Sequence, residues 1–342
     1  MISLPIQSKD WTVEEQFPIE RLSWKGKELL ASTWDDNDKY CNIRVVDKST
    51  LPKINRARLN IKGTLNDNKN LYDSKIIPTC KYPYTTVFFG AADREGLIDL
   101  NKVDICASKR TIYYITNCSH NKAALNINAK RMTINGKECI YLQNYNPGGT
   151  IDSGLSFEQY MTSDEPLPIE GKEDDEQKFT VTKLIMRGAT MLIKGQIDAR
   201  DEETKNLVEI KMMKRNDADS THVPNKALRL AYLTTCESLV FSGVYSSDLV
   251  PNTPTYGANL LCPQLLNTAD MLQKDVHFAK GLALLEMLCK KLLKMFSEDS
   301  NIKIIRCIKN FDENEQYIKE PLYDIDLKPV FKAEHEELII EN

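Results

Sequence analysis

The chain has 342 residues, 42% of them hydrophobic and 27% charged, with a formal net charge of −4. That composition excludes a disordered chain, and the mild acidity argues against a protein that coats nucleic acid along its length, though not against a local basic cleft. No apolar run approaches the ~18–20 residues of a membrane span, and the opening MISLPIQSKDW lacks the charged-then-apolar pattern of a secretion signal.

Residues 1–100 mix short apolar runs with loops and define no firm element. Arg110–Thr116, RTIYYIT, is rich in β-branched and aromatic residues and reads as a strand. Arg131–Tyr145 reads as a β-hairpin turned at Asn135-Gly136, a strong two-residue turn signal. Asn146-Pro147-Gly148-Gly149 is a loop. Gly154–Met161 reads as an amphipathic helix with Leu155, Phe157 and Met161 inward, capped by Asp152 or Ser153. Ser163–Gln177 is an acidic, Pro-containing crossing, and Phe179–Ala189 is helix or strand. Ser246–Pro263, with three prolines, is a long loop that borders the cleft. His277–Glu298 carries a clear helical period, and Ile302–Ile308 is an apolar strand.

The stretch Met191–Lys214, MLIKGQIDARDEETKNLVEIKMMK, carries the chemistry. An apolar run reaches Asp198, the polar residues Ala199 to Lys205 turn the chain, and a second run carries Glu209 and Lys211. Side chains two residues apart in a strand share a face, so Glu209 pairs with Lys211 and Gln196 with Asp198. Folded as a hairpin, the two runs bring two carboxylates and an ammonium together. A metal-dependent phosphodiesterase needs acids to hold a hard cation and a positive group beside the attacked phosphate. A solvated ribbon with cross-strand ion pairs explains the same residues equally well. Glu158, next to the inward Phe157, sits at the edge of a buried face.

Together these pieces have an order. Gly154-Leu155-Ser156-Phe157-Glu158, then Gln196-Ile197-Asp198, then Glu209-Ile210-Lys211 resemble the motif series of the DXO family, the eukaryotic decapping exonucleases. The flanks are similar too: Gln159-Tyr160-Met161 after the first motif, Lys194-Gly195 before the second, and a helix from Lys226 to Val240 ending in Ser242-Gly243-Val244. The resemblance covers roughly residues 105–335, and 1–100 are its divergent part. It implies a mixed α/β fold in one domain over 1–342, a twisted mixed sheet flanked by helices. It implies action on RNA 5′ ends: removal of incomplete or irregular caps, NAD-type caps among them, and degradation from the 5′ end with Mg²⁺ or Mn²⁺. On these residues, Asp198, Glu209 and the carbonyl of Ile210 would hold the metal, Glu158 would act through water, and Lys211 would orient the water or the scissile phosphate. In this reading Lys211 is a strand-surface residue whose loss leaves the fold intact.

Three positions depart from the pattern. Gln196 stands where the family has Glu, which leaves three carboxylates, Glu158, Asp198 and Glu209, and weakens a metal site tuned by ligand charge. Cys118 falls on the place of a substrate-contacting arginine, and a thiol cannot replace its bidentate phosphate contact. A glutamine expected after the third motif falls on Glu237 or Ser238. Two further readings follow: a binding protein that keeps the RNA 5′-end cleft with degraded catalysis, or a DNA nuclease sharing only the metal hairpin, which leaves the Glu158 helix unexplained.

Nine scattered cysteines without a Cys-x-x-Cys pair, and only four histidines, argue against zinc. Cys106, Cys139, Cys289 and Cys307 lie in apolar contexts and read as buried thiols of a reducing, intracellular compartment, nucleus or cytoplasm. Lys183, Arg187, Lys194, Lys214, Arg215, Lys226 and Arg229 are the cations near the motifs, and each reads most simply as a solvated side chain.

Overall fold

The computed structural model of the chain describes residues 17–35, 40–61, 63–64, 85–117, 125–144, 157–158, 160–162, 177–215, 225–245, 259–260, 262–268, 275–302 and 304–309. Cys118, the loop at 146–149 and most of 163–177 and 246–263 lie outside them. The fold is mixed α/β, built on two sheets. The first runs in the order β15 (Ile304–Lys309), β6 (Leu125–Ile134), β7 (Lys137–Asn144), β5 (Ile105–Ser108), β9 (Ala189–Gln196), β8 (Gln177–Met186), β2 (Leu29–Asp35) and β3 (Tyr40–Val46), with β1 (Ile19–Arg21) also on β8. β5 is parallel to both β7 and β9, and the remaining pairs are antiparallel.

Both faces of this sheet are covered, and the strands alternate accordingly. On β9, Met191 and Ile193 enter one core while Leu192 enters the other. α1 (Thr85–Arg94) fills the Leu192 side with Phe88 and Phe89. α2 (Lys109–Asn117), α3 (Asn225–Leu233) and α4 (Val276–Glu298) fill the other side. One buried ion pair ties the three together. Arg229 of α3, 1% exposed, donates to both oxygens of Asp275 at 2.9 and 3.0 Å and to Asn117 Oδ1 at 3.1 Å, while Asp275 caps α4 by accepting from the Phe278 amide.

The second sheet runs β10 (Ala199–Arg200), β11 (Leu207–Arg215), β12 (Ser238–Tyr245), β13 (Asn259–Leu260) and β4 (Gly63–Thr64), with β14 (Gln264–Asn267) also on β12. β11 and β12 are parallel, with Ile210 opposite Val240. The helical residues 157–158 and 160–162 pack Phe157, Tyr160 and Met161 on Val208, Ile210 and Val240 of this sheet.

Several elements match the sequence and three do not. The Asn135-Gly136 turn, the 23-residue helix α4 and strand β15 stand as expected. Arg110–Thr116 is helix rather than strand: Ser108 Oγ accepts from the Thr111 amide at 3.2 Å as an N-cap, and Ile112, Tyr113 and Ile115 are buried at helical spacing. The helix expected to reach Val240 stops at Leu233, where Thr234-Thr235 turns the chain with Thr235 at φ 55°, and 238–245 are strand. The two apolar runs of 191–214 do not form a hairpin with each other. β9 pairs with β8 and β5 in the first sheet, and β11 with β10 and β12 in the second, so the chain crosses between sheets at Ile197-Asp198.

Two expected surface cations are core residues. Arg229 is one. Lys194, 6% exposed, sits over the rings of Phe179 and Phe88 at 4.3 and 4.7 Å, and burial pulls its ammonium down to about 7. Cys106, Cys139 and Cys289 are buried and in no disulfide, as expected, while the Cys307 side chain lies outside the described ones.

Residues 48–58 brace the crossing. Two 3₁₀ turns, Lys48–Thr50 and Arg56–Arg58, are capped by Asp47 and Asn55. Arg56 donates to Asp201 at 2.9 and 2.5 Å. Arg58 bonds the carbonyl of Tyr160 and stacks on its ring at 4.3 Å. Asp201, fully buried, also accepts from Thr204 Oγ1 at 2.7 Å, and Arg56 holds its carboxyl down at about 2. A folded pKa below the unfolded value means stability that is present above pH ~4 and lost as pH falls towards the folded value. Asp201→Asn is therefore expected to cost about 1–2 kcal/mol at pH 7, since the partner is partly solvated. The gap from wild type should shrink between pH 4 and pH 2 in urea unfolding, and a constant gap would contradict the pairing.

Candidate active site

Four side chains from distant points of the sequence meet where the chain crosses between the sheets. Glu158 comes from the helical pair 157–158, Asp198 from the crossing, and Glu209 and Lys211 from β11. Lys211 is central: its Nζ is 3.0 Å from Glu209 Oε1, 3.1 Å from Asp198 Oδ2, 3.7 Å from Glu158 Oε1 and 2.7 Å from the Ile210 carbonyl. The period of β11 explains why Glu209 and Lys211 share this face while Val208 and Ile210 pack against the Glu158 helix. β10 covers β11 only at Val208 and Leu207, and the Ile210 amide beyond it donates to Asp198 Oδ2 at 2.8 Å.

A fifth residue belongs to the cluster. Lys109, the first residue of α2, donates to Glu209 Oε1 at 2.8 Å, to Oε2 at 2.7 Å and to the Gln196 carbonyl at 2.9 Å. No local pattern marked it, because its partners lie 87 and 100 residues away. Gly195 gives it room. A Cβ at 195 would stand 3.4 Å from Lys109 Cδ and 2.2 Å from Thr234 Cγ2. Gly195→Ala is expected to destabilise by about 1–3 kcal/mol through overpacking. Adding Thr234→Ser, which removes the clashing methyl, should recover most of that loss. Independent, additive effects in the double variant would refute the close approach.

The charges are coupled. Burial, then the charge of Asp198, pushes the Glu158 carboxyl up to about 8 against the pull of Lys211. Burial likewise raises Asp198. Burial also works against the Glu209 carboxylate, but Lys109 and Lys211 outweigh it and its pKa is lowered. Lys211 is held well above its ordinary range: burial opposes its charge, and Asp198 and Glu209 overcome it. Three carboxyl groups face two ammonium groups, and with Glu158 raised to about 8 the cluster is close to charge balance at pH 7.

The Gln196 and Glu237 side chains have other partners. β9 ends at Gln196, whose amide donates to Gln177 Oε1 at 2.9 Å on β8, while its backbone carbonyl accepts from Lys109 of the cluster. Glu237 precedes β12 rather than riding a helix. It accepts from the Leu207 amide at 2.9 Å and pairs with Arg21, and Ser238 bonds Asn206 at 3.1 Å. Cys118 lies outside the described residues.

The donor chemistry suits a hard divalent ion: three carboxyl groups, with the Ile210 and Gln196 carbonyls beside them. As placed, the lysines hold these oxygens, and among the described residues no three His, Cys, Asp or Glu side chains stand close enough to share one ion. A metal would enter by displacing an ammonium.

No family model matches the sequence, and no curated protein does. Solved structures do match, and they define the class: the chain has the fold of the DXO-type proteins. The Dxo1 of K. lactis, solved in complex with manganese, is 13% identical at a TM-score of 0.54, covering 86% of this chain and 87% of that one. The S. pombe Rai1 in complex with 3′-FADP is 14% identical at 0.56, covering 85% and 91%. Candida albicans Rai1 in complex with pU5 and Mn²⁺ is 14% identical at 0.53, covering 85% and 88%.

Proposed function

We propose that this chain is a divergent DXO-type protein that acts on RNA 5′ ends by metal-dependent phosphodiester hydrolysis, removing incomplete or irregular caps, NAD-type caps included, or degrading from the 5′ end. One observation carries the reading: Glu158, Asp198, Glu209 and Lys211, in the family's motif order, converge on one point. Relatives in fold solved with pU5 and Mn²⁺, with manganese and with 3′-FADP support the ligand class. Asp198, Glu209 and the Ile210 carbonyl would hold Mg²⁺ or Mn²⁺, with Glu158 beside them. When bound, the ion would neutralise phosphate charge and acidify a water. Lys211, tethered between the three carboxylates, orients a phosphate oxygen or the attacking water, and Lys109 adds a second positive charge. The buried cysteines, in no disulfide, fit a reducing, intracellular setting, and among the described residues no helix is long and apolar enough to cross a membrane.

The test is incubation with 5′-triphosphate, capped, NAD-capped and 5′-monophosphate RNA, with Mn²⁺ and with chelator. Chelator-sensitive release of a 5′ product supports the reading, and retention of every 5′ end in Mn²⁺ overturns it. The second reading, an RNA 5′-end binding protein with degraded catalysis, draws support from the Gln196 amide tied to Gln177 and from the lysines on the carboxylates. Gln196→Glu separates them. As an enzyme the variant should gain Mn²⁺ affinity and cleavage, because a carboxylate cannot donate to Gln177 Oε1 as the amide does and is free to turn to the cluster as a fourth acid. As a binding protein it should gain neither.

A further inference from the structure

Lys109 is bonded as a cation in a coordination site. Its three N–H groups meet three oxygens, Glu209 Oε1, Glu209 Oε2 and the Gln196 carbonyl, at 2.7 to 2.9 Å. Glu209 offers no other face: its side chain is 0% exposed, Oε2 is held by Lys109, and Oε1 is shared by Lys109 and Lys211. An external ion that uses Glu209 must take the place of one ammonium.

The two lysines differ in how firmly they are held. Lys211 is bound among three carboxylates, whereas Lys109 pairs with one carboxylate and a neutral carbonyl. Exposure does not separate them, 15% for the Lys109 side chain against 24% for Lys211, but Lys109 stands on the first residue of α2 with its stem over the bare backbone of Gly195. It has an exit to solvent.

We propose that Lys109 is a built-in competitor for the divalent cation: the metal loads onto Glu209 by displacing the Lys109 ammonium, and Lys109 thereby sets the metal affinity of the site. This rests on the metal-site reading above. It assigns a role to a residue that neither the motif series nor the three departures from it single out.

The test is Mn²⁺ titration calorimetry of the full chain, its Lys109→Met and Lys109→Arg variants, and Asp198→Asn in each background. Lys109→Met removes one unit charge a few ångströms from the ion and should tighten binding by about tenfold or more. Lys109→Arg keeps the charge and should stay within about threefold of wild type, and Asp198→Asn should weaken binding throughout. If Lys109→Met binds no tighter while Asp198→Asn still weakens binding, the competition is wrong and the metal site stands. If no form binds Mn²⁺ saturably, both fall. Should Lys109→Met fail to fold, acetylation footprinting of wild type decides: Lys109 becomes several-fold more reactive with saturating Mn²⁺ if it is displaced, and an unchanged footprint overturns the proposal.

Discussion

Glu209→Ala is expected to lose Mn²⁺ binding and to destabilise the fold by about 3–5 kcal/mol, the cost of breaking a buried charge cluster on one side. Glu209 is 0% exposed, and its two oxygens take three lysine contacts at 2.7 to 3.0 Å. Without it, two ammonium groups remain near one another in a desolvated site, facing only Asp198 and Glu158. Glu209→Gln separates the two effects. It preserves shape and an acceptor oxygen, so it should lose less stability while losing almost as much metal affinity. Calorimetry with Mn²⁺ and chemical unfolding together make the check. An alanine variant that binds Mn²⁺ and unfolds like wild type would remove Glu209 from the centre of the site.

The convergence of these four residues is more legible in the sequence than the architecture that brings it about. Period-two reasoning placed Glu209 and Lys211 on one face, and the motif order joined Glu158 and Asp198 to them. The same reasoning chose the wrong strand partner, because alternation fixes which way a side chain points and not which strand lies alongside. β9 and β11 read as neighbours in sequence but belong to different sheets, and Asp198 serves the site because it sits where the chain changes sheets. RTIYYIT was misread because its β-branched and aromatic content outweighed a helical spacing of buried residues and a Ser108 cap that were both present in the sequence. The helix expected over 226–240 ends at Leu233 because Thr234 and Thr235 turn the chain there.

What stayed hidden was long-range. Lys109 reaches a carboxylate 100 residues away, and Arg58 braces a carbonyl 102 residues away. Neither carries a spacing that one sequence could expose. The buried cations Lys194 and Arg229 were hidden for a related reason. Lysine and arginine are solvated by default, and partners such as the rings of Phe88 and Phe179, or the carboxylate of Asp275, help make their burial tolerable. Residues before 100, unplaced from sequence, supply β2 and β3 of the first sheet and the turns that hold Asp201 and Tyr160.

Lys211→Ala is expected to lower any 5′-end cleavage by about one to three orders of magnitude, the effect of removing one preorganised contact to developing charge. The fold will not be indifferent, contrary to the expectation for a strand-surface lysine. Lys211 is the one group within 4 Å of all three carboxylates among the described ion pairs. The loss should depend on pH, and its sign follows from the acids left behind. Glu158 and Asp198 already have folded pKa values raised above their ordinary ones, and removing Lys211 raises them further. The folded state then holds protons that the unfolded chain releases above pH ~4–4.5, so stability falls as pH climbs from there towards the folded values. The variant should lie nearest wild type at pH 5 and furthest from it at pH 8 in urea unfolding. Lys211→Arg, which keeps the charge in a bulkier fork, should restore much of the stability at pH 8 but little of the turnover, because a phosphate or water must be met from one position. A stability gap that is flat from pH 5 to pH 8, together with unchanged cleavage, would place Lys211 outside the working centre and leave the three carboxylates to be explained without it.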